Sequence, residues 1–76
     1  MIWDYKSQLQ EFCQAQKNKI VYQVKEIKKV GPNQIFLIEV RDELGIFQEV
    51  GQGKNKKQAE QQAANKVIKK LGMIEN

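Results

Sequence analysis

The chain has 76 residues with 41% hydrophobic content, 13 Lys plus Arg against 9 Asp plus Glu, one Cys and no His, and a formal net charge of +4. A chain this short buries roughly 60% of its unfolded surface, so it holds one small domain, has no room for a deep enclosed active site, and works on its surface. The composition excludes disorder, a disulfide framework, His-based acid–base catalysis and the usual zinc ligand sets, and no apolar run approaches the roughly 18 residues of a membrane span. Met1-Ile2-Trp3 is too short for a signal sequence. A reducing cytoplasm and a polyanionic partner are therefore expected, and no membrane.

Asp4 is placed to cap a helix beginning at Tyr5, in which Tyr5, Leu9, Phe12 and Cys13 recur at helical spacing up to the break at Lys17. Almost opposite that stripe lie Ser7, Gln10, Glu11 and Gln14, a polar face without positive charge. From Ile20 to Val30 the chain is rich in β-branched residues, Gly31-Pro32-Asn33-Gln34 supplies a turn, and residues 35–41 are again strand-like. Tyr22 and Val24 on the first strand and Phe36, Ile38 and Val40 on the second alternate toward a common core. Asp42-Glu43-Leu44-Gly45 makes a second turn, and residues 46–50 form a third strand that ends at Gly51.

Asn55 then caps a second helix, with Gln58 reaching back to it as in a capping box. Its apolar arc is Ala59, Ala63, Ala64, Val67, Ile68 and Leu71, and Gly72 terminates it. Glu60 falls inside this arc with no evident reason. The expected fold is α+β, in the order α-β-β-β-α, with a three-stranded antiparallel sheet, two helices packed on one face and the other face open. The domain covers residues 4–72, preceded in 1–3 by the remnant of a linker or an artificial start and followed in 73–76 by a tail.

No catalytic constellation is expected. Asp42-Glu43 sits in a turn, Glu11 is alone on its helix, and Cys13 on an apolar stripe reads as a small buried hydrophobe. Gly51-Gln52-Gly53 before a helix lacks the third glycine of a dinucleotide fingerprint and the ending of a P-loop. Backbone amides and the positive end of the second helix, joined by Lys54, Lys56 and Lys57, nevertheless suit phosphate oxygens, unless the glycines merely make a tight turn beside solubilising lysines. Further lysines stand at Lys25, Lys28, Lys29, Lys66, Lys69 and Lys70, whereas the only Arg is Arg41. Lysine acts as a point charge suited to backbone phosphates irrespective of sequence. Tyr5, Phe12, Tyr22 and Phe36 all fall on core faces, which leaves no stacking platform for single-stranded bases and points to a duplex recognised by shape.

The run Gly51-Gln52-Gly53-Lys54-Asn55-Lys56-Lys57-Gln58-Ala59-Glu60-Gln61-Gln62-Ala63-Ala64 closely resembles the Gly-x-Gly-x-Ser-Lys-Lys-x-Ala-Glu-x-x-Ala-Ala signature of the double-stranded RNA-binding domain. The opening Asp4-Tyr5-Lys6-Ser7-Gln8-Leu9-Gln10-Glu11 is similar to the first-helix motif of that domain at the C-terminus of bacterial ribonuclease III. The resemblance implies that Ser7, Gln10, Glu11 and Gln14 lie in one minor groove against 2′-hydroxyls and base edges. It also implies that Lys54, Lys56 and Lys57, with Gly51, Gly53 and Asn55 around them, hold phosphates across the next groove. Asn55 replaces the usual Ser. At the hairpin, Gln34 stands where the family carries His, and Gly31-Pro32 lies closer to Phe36 than in the family pattern, leaving Lys28, Lys29 or Asn33 to reach a second minor groove.

The nuclease signature of ribonuclease III is absent from this sequence. By resemblance the chain is the substrate-binding module of a magnesium-dependent endoribonuclease that processes structured RNA, with no cofactor of its own and magnesium expected only in a missing nuclease domain. The parent is then a homodimer through that nuclease domain, and the module is monomeric alone. Ile35 and Leu37, on the outer sheet face by alternation, form an expected apolar contact for the missing domain. The alternative is a protein–protein adaptor of the same fold, against which the lysine cluster and the polar first-helix face both speak.

Overall fold

The computed structural model describes residues 4–73 and has the expected order: α1 (Tyr5–Ala15), β1 (Ile20–Val30), β2 (Asn33–Asp42), β3 (Gln48–Gly53) and α2 (Lys56–Lys70). The strands form one antiparallel sheet in the order β1-β2-β3. The readings of residues 1–3 as a linker remnant and of 74–76 as part of a tail lie outside the described residues. Among the described residues no helix is long and apolar enough to cross a membrane.

Both helices start and stop by the same local chemistry. Asp4 accepts from the Ser7 amide at 3.1 Å and the Ser7 hydroxyl at 2.7 Å, and Asn55 accepts from the Gln58 amide at 2.9 Å. Gln58 reaches back one residue further than a capping box requires, its Oε1 accepting from the amide of Lys54 rather than Asn55. At the other end of α1, Lys17 takes a left-handed conformation (φ 54°) while the Asn18 amide donates to the Cys13 carbonyl and the Lys17 amide to the Gln14 carbonyl. Gly72 (φ 74°) closes α2 with the equivalent pair of bonds, Met73 to Ile68 and Gly72 to Lys69.

The apolar stripes meet where their periods require. Leu9 and Cys13 of α1, Val40 of β2, Phe47, and Ala63, Ala64, Val67 and Ile68 of α2 form one buried cluster, with Tyr5, Phe12, Ile20, Tyr22 and Leu71 packed around it. α2 approaches the sheet more closely than ordinary side chains permit. A methyl group at Gly51 would press on the Ala59 carbonyl oxygen and the Ala63 nitrogen and lie 2.8 Å from the Ala63 Cα; one at Gly53 would lie 2.6 Å from the Ala59 nitrogen. Two glycines on β3 facing alanines on α2 thus set the separation of helix and sheet.

Three expectations about the strands are corrected. The β1–β2 connection is a two-residue turn, Gly31-Pro32, with Gly31 at φ 60°, so Asn33 and Gln34 belong to β2 and pair with Val30 and Lys29. β3 begins at Gln48 rather than at residue 46 and runs through Gly51 to Gly53. The cause of this shift is Asp42, whose buried carboxylate accepts from the Ile46 amide at 3.0 Å and the Phe47 amide at 2.9 Å, withholding both from the ladder. Asn18 completes this knot, donating to Asp42 at 2.7 Å and accepting from the Leu44 amide at 3.3 Å. Finally, Val24 is 39% exposed instead of buried, because it lies on the edge strand β1, while its cross-strand partner Ile38 on the central strand is 1% exposed.

A bulge between Val24 and Glu26 resets the alternation of β1. Beyond it Ile27 and Lys29 pair with Phe36 and Gln34 on the helix side, whereas Glu26 and Lys28 pair with Leu37 and Ile35 on the other. That other face is partly covered by its own side chains. Ile35 and Leu37 are half-buried, and Glu39 is buried, accepting from Gln48 with Lys25 and Arg41 nitrogens at 3.9 and 3.7 Å. At the β3 edge, Gln62 accepts from the Gln52 amide at 2.7 Å and Lys66 donates to the Val50 carbonyl at 2.7 Å. These are groups that would otherwise template a further strand.

The close approach of α2 makes Gly51→Ala and Gly53→Ala costly, by roughly 2–3 kcal/mol or about 10–20 °C in Tm, because the obstructing atoms are largely helix backbone. Gly45→Ala, where the added methyl meets open space and only φ 74° is strained, is expected to cost about 1 kcal/mol in the same thermal unfolding measurement.

Burial pushes the Asp42 carboxyl up, but its bonds from Asn18, Phe47 and Ile46 outweigh that and hold it below its ordinary value. A depressed folded value makes the contribution of Asp42 complete above the unfolded pKa, roughly 4, and lost as pH falls through the folded one. Urea titrations from pH 6 to pH 2 are expected to show stability declining below about pH 4. Asp42→Asn should flatten that decline while lowering stability at neutral pH by about 2 kcal/mol.

Candidate nucleic-acid interface

α1 presents its polar face outward because its other side is committed to the core. Ser7, Gln10, Glu11 and Gln14 are all exposed along it. Ser7, Gln10 and Glu11 line a groove of about 680 Å³ together with Lys57, Glu60 and Gln61 of α2 and with Asp4, Lys6 and Tyr22. A second depression, of about 480 Å³, lies between the hairpin and the start of α2 and is lined by Lys29, Gly31, Pro32, Asn33, Gln34 and Lys54. The segment Lys54-Asn55-Lys56-Lys57, exposed throughout, joins the two depressions.

The sequence-based site is therefore mostly brought together, with exceptions at Gln14, Lys28 and the two glycines; Gln14 continues the exposed face of α1 but lines neither depression. Lys28, beyond the bulge, pairs with Ile35 on the opposite side of the sheet and lines neither depression. Gly51, expected among the phosphate-binding groups, is buried beneath α2, and Gly53 is half-buried beside the Ala59 and Gln58 backbone; both serve close packing. The backbone donors expected around them are partly spent, since the Gln52 and Lys54 amides already donate to Gln62 and Gln58. What remains for an anion is the first turn of α2, with its helix-dipole end, and the lysines around it.

The structure also sorts the lysines. Lys66 donates to the Val50 carbonyl, Lys70 pairs with Glu49 at 2.9 Å, and Lys25 lies near the buried Glu39, so these three serve the fold. Lys29, Lys54, Lys56 and Lys57 are exposed at the two depressions and the segment joining them, and make no ion pair among the described residues.

The groups holding α1 to α2 could not be assigned by sequence reasoning. Glu60, the unexplained acid of the apolar arc, pairs with the Lys6 ammonium, which also stands 5.2 Å from the centre of the Tyr22 ring. Burial, with the Glu60 charge second, raises the Tyr22 phenol above its ordinary pKa. The neighbouring Gln61 uses both ends of its amide, Nε2 donating to Asp4 at 2.9 Å and Oε1 accepting from the Tyr5 amide at 2.9 Å and the Lys6 amide at 3.4 Å. This bond from Gln61, followed by those from Ser7, brings the exposed Asp4 carboxyl down to about 2. The only available signal was an acid set among alanines, which implies a cation across the interface.

Among the described residues no three of His, Cys, Asp or Glu come together in a way that could hold a metal ion. Cys13 is fully buried, and burial pushes its thiol pKa up, followed by the charge of Asp42.

Residues 5–71 match the family model described as double-stranded RNA binding motif. The chain is 39% identical over 75 residues to Ribonuclease 3 of Caldanaerobacter subterraneus subsp. tengcongensis, an alignment covering 93% of this chain and 31% of that protein. It is 44% identical over 70 residues to Ribonuclease 3 of Oceanobacillus iheyensis, covering 86% and 28%. Against Ribonuclease 3 of Bacillus cereus strain AH187 it is 42% identical over 71 residues, covering 92% and 29%. The chain thus spans less than a third of the length of these relatives.

The buried, raised thiol of Cys13 yields a prediction separate from RNA binding. Reaction with a disulfide reagent at pH 8 is expected to proceed at the rate of global opening and to accelerate with denaturant in step with unfolding. Fast labelling of the native chain would show that Cys13 is exposed by a local motion instead.

Proposed function

The chain belongs to the double-stranded RNA binding motif family, and we propose that it holds an A-form duplex along the side formed by α1, the start of α2 and the β1–β2 hairpin. The observation that carries this reading is the order of the surface: a polar groove, a lysine-bearing helix start and a second depression follow one another without a break. A-form RNA offers the same sequence of features, a shallow minor groove lined by 2′-hydroxyls, intervening phosphates and the next minor groove.

In this reading Ser7, Gln10, Glu11 and Gln14 enter the first minor groove. Glu11 is the telling member, since a carboxylate near nucleic acid is penalised unless a donor meets it, and the ribose 2′-hydroxyl is a donor that DNA lacks. Lys54, Lys56 and Lys57 hold phosphates as point charges, helped by the positive end of α2. Lys29, Asn33 and Gln34 reach the second minor groove around the Gly31-Pro32 turn, while Lys28 stays outside the contact. These side chains face minor grooves, whose base edges carry a degenerate pattern, so binding follows shape with little sequence preference.

The chain itself carries no catalytic group in this account. Its place is the substrate-binding part of a cytoplasmic ribonuclease III-like endoribonuclease, and magnesium chemistry with the dimer contact belongs to a separate nuclease domain. The adaptor reading gains little support from this surface, because the exposed lysines and the polar α1 face suit a polyanion, and of the two sheet edges that of β3 is already occupied by Gln62 and Lys66.

Titration against one duplex of about 20 base pairs, prepared as RNA and as DNA over a range of salt, tests the reading. The RNA duplex should bind more tightly, with a steep salt dependence. Lys56→Ala and Lys57→Ala should weaken binding across sequences and reduce the salt slope by about one unit per lost phosphate contact. Lys29→Ala should weaken binding measurably and Lys28→Ala should not. Equal affinity for both duplexes would overturn the proposal.

A further inference from the structure

The apolar stripe of α1 determines which face it turns inward, but apolar contact is non-directional and leaves its placement along α2 loosely specified. Leu9 and Cys13 share their cluster with Ala63, Ala64, Val67 and Ile68, a surface of small and aliphatic groups. Among the described residues, the directional bonds between α1 and α2 lie at one end. Gln61 joins the Asp4 carboxylate and the Tyr5 and Lys6 amides, and Glu60 pairs with Lys6, so the first turn of α1 is the part that α2 grips.

That turn also begins the row Ser7, Gln10 and Glu11. On α2, Lys57 stands three residues before Glu60 and four before Gln61, spacings that place all three on one helical face and on the wall of the same groove. The separation between the polar row of α1 and Lys57 is therefore fixed within a single turn of α2.

We infer that Gln61, supported by Glu60, is a positioning residue for discrimination between RNA and DNA duplexes, holding the 2′-hydroxyl-reading row of α1 at the correct distance from phosphate-bound Lys57. The inference rests on the duplex reading proposed above. DNA has no 2′-hydroxyl, so its binding draws on phosphate contacts, which long flexible lysines make over a range of positions. RNA binding adds the α1 contacts, which need a preorganised spacing. Loosening α1 should then cost affinity for RNA, spare DNA and leave the salt slope unchanged.

The test uses the full chain with Gln61→Ala, Gln61→Glu, and Gln61→Glu combined with Asp4→Asn. Each is titrated against the RNA and DNA forms of one duplex at several salt concentrations, well below its own Tm. Gln61→Ala is expected to weaken RNA binding about five- to tenfold, with DNA binding and the salt slope nearly unchanged. Gln61→Glu sets a second carboxylate against Asp4 and should lower the selectivity for RNA in the same way, on top of a smaller loss shared by both duplexes from the added negative charge. The paired change should recover selectivity, because the new amide at position 4 can donate to the new carboxylate while still capping α1. Should Gln61→Ala fail to fold, the single and paired Glu variants provide the same comparison. Undiminished selectivity in Gln61→Glu, or equal losses on both duplexes without rescue, would overturn the inference while leaving the duplex reading standing. A chain that binds both duplexes equally before any substitution would overturn the duplex reading itself, and this inference with it.

Discussion

The contact on which the rest of the molecule depends is the close approach of α2 to β3, where Gly51 and Gly53 leave no side chain between the strand and Ala59 and Ala63. With the helix lying directly on the strand, the side chains at its flanks reach both neighbours. Gln62, Lys66 and Lys70 tie it to the β3 edge, Glu60 and Gln61 hold the first turn of α1, and Lys57 is carried to the groove between the helices. Thickening this contact by one methyl group would move the lysines and α1 relative to the hairpin, so the glycines of the signature set the distances across the interface.

A second consequence concerns charge. A net charge of +4 on a small chain favours any polyanion, and by itself explains attraction without selectivity. The fold converts it into a pattern. Lys6, Lys25, Lys66 and Lys70 are engaged by Glu60, Glu39, the Val50 carbonyl and Glu49, while Lys29, Lys54, Lys56 and Lys57 remain exposed around the two depressions. On the opposite face of the sheet the buried Glu39 carboxylate lies near both Arg41 and Lys25, which partly offsets the positive charge there.

Much of the fold was legible because its signals are local. The 3.6-residue period placed Leu9, Cys13, Ala59, Ala63, Ala64, Val67 and Ile68 in the core, and Asp4, Asn55 and Gly72 marked helix ends by side-chain and backbone chemistry that needs no tertiary partner. What escaped depends on contacts distant in sequence. Asp42 moves the start of β3 by taking two amides across a turn, and the bulge at Lys25 turns Lys28 away while keeping Lys29 near Lys54. Strand alternation is read correctly only when the register is known. The polar row of α1 and the lysines of α2 were legible as separate faces. Their juxtaposition across one groove was not, because Gln61 and Glu60 meet Asp4 and Lys6 more than fifty positions away.

The central claim is that one side of this chain, and no other, meets the duplex. Amide chemical shifts of the 15N-labelled chain, recorded while an RNA duplex is added, test it most directly. Changes concentrated at Ser7 to Gln14, at Lys54 to Lys57 and around Lys29 to Gln34, with Arg41, Gln48 and Val50 unmoved, are the predicted result. Changes centred on the sheet face that carries Arg41, Gln48 and Val50, with the α1 and α2 segments unmoved, would contradict the account.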